Sequence, residues 1–279
     1  LPDFRRAPGR YDDRMLDPSR IPRVLEELRD TWEGQPDLSL PALLGALELR
    51  GIGWTSTDEE LIQALQDLRA THPSRISQIE PGTCVRVQTD GSVVYIDHRD
   101  VITLPGGEVR PSVWHYASID VCEVGRPLRL TTADGVNARL GVVEALNPMT
   151  IPRAGLSLNS TEGAAQPQPW FAADIDPHEV RLLIDIESED SHPHAAPSAA
   201  ETTSDRSIGG ARDQARECRC MLGHDIHTWV QGRRETQHAS RGWDRIGPVA
   251  LNRLVVVDGR SLGRAREVWV LPQFSDLIW

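Results

Sequence analysis

Residues 84–96 read CVRVQTDGSVVYI, and this stretch decides the fold. Val85-Arg86-Val87-Gln88 alternates apolar and polar side chains, and Ser92-Val93-Val94-Tyr95-Ile96 is rich in β-branched residues. Asp90-Gly91 stands between them, a pair whose backbone freedom suits a tight turn between antiparallel strands. The period of apolar residues is therefore two from Cys84 onward. On the N-terminal side it is 3.6.

Working outward toward the N-terminus, residues 20–34 carry Ile21, Val24, Leu25, Leu28 and Trp32 at the spacing of one helix face, with Ser19 where a cap would stand. Residues 39–50 (SLPALLGALELR) predict a second helix capped by Ser39 and ended by Gly51. Residues 57–71 predict a third, opened by the capping box Thr57-x-x-Glu60. Toward the C-terminus, further strands are expected near 100–104, 112–116, 118–123, 126–132 and 136–145, with Asp134-Gly135 as another turn. Residues 178–187 predict one more strand, and 254–257 with 267–271 a final pair around Asp258-Gly259.

The expected fold class is thus α+β. Residues 1–19 form a disordered arm, 20–78 a three-helix unit and 79–148 a small antiparallel β-domain. Residues 149–187 are an irregular extension with one strand. Residues 188–216, which hold Ile208 as their one sizeable aliphatic, form a flexible linker. Residues 217–279 are a weakly ordered, β-rich tail. Trp32, Trp54 and Trp114 are read as packing residues.

All 30 basic residues of the 279 are arginine; lysine is absent. This excludes a Walker A lysine, a Schiff-base lysine and an S-x-x-K nucleophile. Arg, Ala, Gly, Pro and Trp are plentiful while Asn, Phe and Tyr are scarce, the pattern of GC-rich codon use. The net charge is -11. Residues 24–75 carry -6 and 151–205 carry -8, whereas 206–279 carry +4 with twelve of the arginines. The longest uncharged run is about 11 residues, short of a membrane span. With no apolar signal core at the start, the expected location is the cytoplasm. The first residue is Leu, and Met15 is the alternative start. Four cysteines, Cys84, Cys122, Cys218 and Cys220, read as free thiols.

Two groups of residues carry candidate chemistry. Cys218, Cys220, His224 and His227 offer thiolates and imidazoles, the donors that zinc takes in fours. On a helix, Cys220, His224 and His227 would share one face, and His238 could add a ligand. No other cofactor is expected. Arg233, Arg234, Arg241 and Arg245, interleaved with Trp229 and Trp243, form a candidate nucleic-acid contact, since guanidinium pairs with phosphate and indole stacks on bases. The helical unit is a poor duplex binder by comparison. Its third helix sets Asp58, Glu59, Glu60 and Asp67 against one Arg69, and carboxylates near phosphate repel. His72, His98, His115 and His178 are scattered, and none neighbours an obvious nucleophile in the sequence. Asp174-Ile-Asp176 resembles the D-x-D of sugar-nucleotide enzymes, without the α/β pattern that accompanies it.

Three helices followed by a hairpin resemble a winged-helix unit over residues 20–96, with the hairpin at 84–96 as the wing. The stretch RIPRVLEELRDTWEGQPDLSLPALLGAL is similar to small uncharacterised bacterial helical proteins of the YihD type, a likeness that implies no activity. His224-Asp225 resembles the His-Asp doublet of HD-type phosphohydrolases, whose all-helical surroundings are missing here. The expectation is a bacterial, non-enzymatic adaptor or regulator that acts by protein–protein contact and does not engage membranes. The competing expectations are a nucleic-acid-binding regulator and a zinc-binding protein.

Overall fold

The computed structural model describes residues 18–150, 180–187, 217–232 and 235–272. Three helices come first: α1 (Arg20–Glu33), α2 (Leu40–Leu49) and α3 (Asp58–Thr71). Thr57 and Glu60 exchange both bonds of the capping box, and the Ser39 hydroxyl accepts from the Ala42 amide. Ser19 makes no side-chain cap bond and is itself helical. The helices bury Leu43, Leu47, Leu65 and Leu68 as one core, with Leu28, Ile52 and Leu61 against it. Arg69 pairs with Glu27 at 2.9 Å and Arg20 pairs with Asp58, both tying α1 or its start to α3.

The chain then turns to β structure and keeps it. Strands β1 (Thr83–Thr89), β2 (Ser92–Ile96), β3 (Asp100–Pro105), β4 (Ser112–Val121), β5 (Pro127–Thr132) and β6 (Asn137–Thr150) pair in sequential order, and β6 pairs back onto β1 to close a barrel. Strands β7 (Val180–Glu187), β8 (Glu217–Leu222), β9 (Ile226–Gln231), β10 (Thr236–Arg241), β11 (Leu254–Val257) and β12 (Arg260–Pro272) form a second antiparallel sheet in the order β10-β9-β8-β7-β12-β11. This sheet is curled but open, a half-barrel.

Among the described residues the protein is therefore mostly β, with two six-stranded antiparallel units and three short helices. That corrects the α+β expectation of a single small β-domain. Two physical causes underlie the difference. The hairpin suggested as a wing is β1–β2 of the closed barrel, its outer partners supplied by β6 and β3. The region expected to be a weakly ordered tail is held by pairing to β7, which lies far upstream in the chain.

Strand composition follows from burial on both faces. In the barrel, Val85, Val87, Val94, Ile96 and Val101 point inward with Leu128, Leu130 and Leu146. Their neighbours Cys84, Tyr95 and Ile102 point outward and meet Leu183, Trp269 and Leu271 of the half-barrel. The opposite face of the half-barrel holds Leu182, Ile184, Ile186, Val268 and Val270. Runs such as SVVYI and VWVL do not alternate because neither face is wet. Trp243, Ile246, Val249 and Leu251, in the connection between β10 and β11, cover the inner side of the half-barrel.

Candidate functional site

Strand parity decides the fate of the thiol–imidazole group. Cys218 and Cys220 are two apart on β8 and face the half-barrel core. Burial pushes both thiols up, Cys220 far above the ordinary thiol range. His227 pairs with Met221 and so lies on the other face, while His224 is exposed in the turn between β8 and β9. The residues form a hairpin, not the helix that would have aligned them. Among the described residues no group of three or more His, Cys, Asp or Glu is placed to hold a metal ion.

His227 instead meets His238. His227 Nδ1 lies 3.3 Å from His238 Nε2, and the ring planes differ by 11° with centres 5.5 Å apart. The N–N gap plus two ring radii already spans that separation, so the rings meet edge on in one plane and share a proton as N–H···N. His238 Nδ1 is 3.9 Å from the Glu108 carboxylate, and the Trp229 indole N–H donates to the Glu108 carbonyl at 2.8 Å. Burial, followed by the neighbouring His238 charge, lowers the His227 pKa. The trio fastens the loop between β3 and β4 onto the half-barrel.

Of the four arginines proposed for nucleic acid, Arg233 and Arg234 lie outside the described residues, as do Asp174, Asp176 and His178. Arg241 pairs with Asp258 at 2.9 Å. Arg245 is exposed, and its backbone amide, like that of Asp244, donates to Asp258 Oδ1 at 2.9 Å. Two further tail arginines pair with the acidic strand β7: Arg219 with Asp185, and Arg266 with Glu187 at 2.7 Å. The basic tail thus meets acidic sequence within its own sheet.

A cluster that sequence reasoning missed lines the seam between the two β units. Asp100 and His115 are direct partners on β3 and β4, and His115 Nδ1 lies 2.7 Å from Asp100 Oδ1. The carboxylate is buried and the imidazole exposed, so the pair runs from the seam to the surface. Asp97 Oδ1 accepts the Arg99 and Asp100 amides at 2.7 and 2.6 Å. Burial first, then the Asp97 charge, raises the Asp100 pKa. On β12, burial and then Asp185 and Asp100 raise that of Glu267. Arg219 is the cationic centre of this rim: it holds Asp185 through two nitrogens and donates to the Pro111 carbonyl at 2.5 Å. The Asp-His-Arg-Asp run at 97–100 marks the turn, but only the β3–β4 register brings His115 to it.

The helical unit presents a different surface. Helix α2, LPALLGALEL, is apolar at every position but Glu48, yet only Leu43 and Leu47 are fully buried. Leu44 is 45% exposed, Leu49 89%, and Trp54 in the following connection is fully exposed. On α1, Ile21 and Leu25, one turn apart, are also exposed. Trp54 therefore departs from the packing role expected of it. Trp114 packs against the barrel core, and the Trp32 indole donates to the Leu38 carbonyl at 2.7 Å. A cleft of about 420 Å³ opens where the helices meet the barrel, lined by Asp30, Gln66, Arg69, Ser74 and Arg75. Among the described residues no helix is long and apolar enough to cross a membrane. No family model, curated protein or solved structure matches this chain.

Proposed function

We propose that the protein is a non-enzymatic adaptor or regulator that works by protein–protein contact, with the three-helix unit as its contact module and the paired β units as the platform. The observation that carries this reading is the uncovered face of α2. A helix with so few polar positions is ordinarily enclosed, and here Leu44, Leu49 and Trp54 stand in water. Large apolar side chains grouped on an exposed element mark interaction sites. The nucleic-acid alternative draws less support, because Arg241 is already engaged by Asp258.

The test is affinity capture from cell extract with wild-type chain and with a Leu44→Ser, Leu49→Ser, Trp54→Ser variant. Captured proteins that quantitatively drop out with the variant are the expected result. An identical set on both baits would place any contact elsewhere and defeat the reading.

A further inference from the structure

Resting on that reading, we infer that the occupant of the outer face of α2 is a basic amphipathic segment of another protein: an apolar stripe flanked by lysine or arginine. The apolar half of the match is Leu44, Leu49 and Trp54. The charged half comes from what surrounds them. Residues 37–60 hold five acidic residues, Asp37, Glu48, Asp58, Glu59 and Glu60, against Arg50 alone. Asp58 is taken by Arg20 and the Glu60 carboxylate by the capping box with Thr57, but Asp37, Glu48 and Glu59 are exposed. Glu48 lies one helical turn beyond Leu44, on the same stripe. An apolar strip edged by carboxylates selects a partner of opposite charge and repels one of like charge.

Two other occupants fit less well. A second copy docking through the same face would bring Glu48, Glu59 and Glu60 against their own equivalents, since a two-fold contact presents one patch to itself. Of the arginines in the chain's own basic tail, Arg219, Arg241 and Arg266 already pair with Asp185, Asp258 and Glu187. The missing lysine then acquires a use. No side chain of this protein carries an amine, so a carbodiimide that joins carboxylate to lysine finds no lysine within the chain to join to Glu48 or Glu59.

The probe is a fluorescein-labelled helical peptide of leucine and lysine at amphipathic spacing, with a counterpart in which glutamate replaces lysine. The full chain is expected to bind the lysine peptide at least ~10-fold tighter than the glutamate peptide, with affinity falling as salt screens the pairing. The variant Leu49→Ser, Trp54→Ser and the variant Glu48→Gln, Glu59→Gln should each lose about tenfold or more, as expected when a large apolar contact or a charge pair is removed. Near-UV circular dichroism should be unchanged in both. Carbodiimide should couple the lysine peptide to the wild type and leave both variants largely uncoupled. Equal binding of the two peptides, or undiminished binding by the Leu49, Trp54 variant, would overturn the inference. So would a concentration-dependent dimer that the same variant abolishes, since the occupant would then be a second copy. If extract proteins drop out with the α2 variant while the peptides bind alike, the contact module stands and only the basic chemistry of its partner is wrong.

Discussion

Each β unit ends on one long strand that serves two neighbours, and the two strands come to different ends. In the barrel, β6 runs for 14 residues, pairing with β5 through its first half and with β1 through its second. In the half-barrel, β12 runs for 13 residues between β11 and β7. The partner of β6 is the first strand of its unit, so a ladder of backbone bonds closes the ring. The partner of β12 is also the first strand of its unit, but the outermost strands β10 and β11 do not pair with each other, and the sheet keeps two edges. Where the barrel has a sixth ladder, the half-barrel has a side-chain clasp from Arg241 to Asp258 and an apolar plug. Closure by backbone gives a unit that stands on local pairings. Closure by side chains gives one that leans on its neighbour.

That difference predicts which unit fails first. Arg219 is 10% exposed and holds Asp185 and the Pro111 carbonyl across the seam. Arg219→Ala strands a largely buried carboxylate, a change that typically costs about 3–5 kcal/mol. The expected result is two urea transitions in place of one, the earlier reported by the half-barrel's Trp229 and Trp269 fluorescence. A single transition shifted as a whole would mean that the barrel depends on the half-barrel as much as the reverse, and the comparison would fail.

The bends of the two long strands sharpen it further. Gly141 has φ +82 and Gly263 φ +124, so both occupy backbone conformations that side chains resist. At Gly141 a methyl group would meet the movable end of Asp90, whereas at Gly263 it would meet the Glu187 carbonyl and Ile186 Cγ2, both at 2.5 Å. Gly141→Ala should therefore cost about 1–3 kcal/mol from backbone strain. Gly263→Ala should cost more, since the clash falls on the β12–β7 ladder itself. Denaturation midpoints in the reverse order would show that the barrel's closure is the more brittle of the two.

The barrel was also the more legible in the sequence, for the same reason. Apart from the closing β6–β1 ladder, its strands pair with their sequence neighbours, and Asp90-Gly91 and Asp134-Gly135 announce partners a few residues away. Half-barrel pairings such as Val180 with Pro272 span most of the second half of the chain. The strand at 180–187 and the pair at 254–271 could be read one by one, but nothing local said that they belong together. Without that pairing, β8–β10 looked like loose sequence with a metal motif on a supposed helix. The seam cluster was hidden likewise: Asp100 and His115 become partners only once the β3–β4 register is set.

Titration should separate the seam from the clasp by sign. Burial and neighbouring carboxylates raise the Glu267 pKa, so what the group contributes to stability is complete below its ordinary 4.5 and lost as pH climbs through the raised value. Asp258 is the opposite case. The Arg245 and Asp244 amides, followed by Arg241, hold its pKa down, so its contribution is present above 3.8 and lost as pH falls through the depressed value. In urea titrations from about pH 3 to pH 8, Glu267→Gln should match the wild type in acid and exceed it near neutrality. Asp258→Asn should fall short near neutrality and converge in acid. Parallel curves for the two variants would mean that neither charge environment survives in solution.

The smallest effect is expected where the most apolar surface is bare. In β1–β3 and in β7 and β12, apolar side chains on both faces are covered, one face by a core and the other by the seam. Helix α2 is apolar at all but Glu48 and has one covered side, so its outer apolar residues gain nothing from folding. Leu49→Ser and Trp54→Ser should therefore each change stability by no more than about 0.5 kcal/mol, the range for surface substitutions without buried partners. A loss comparable to the Arg219→Ala cost would show that the face is already occupied within the chain, and the contact module would then be a folding element. Unchanged stability alongside lost binding is the combination that assigns Leu49 and Trp54 to a partner, because a side chain that only packs cannot lose one without the other.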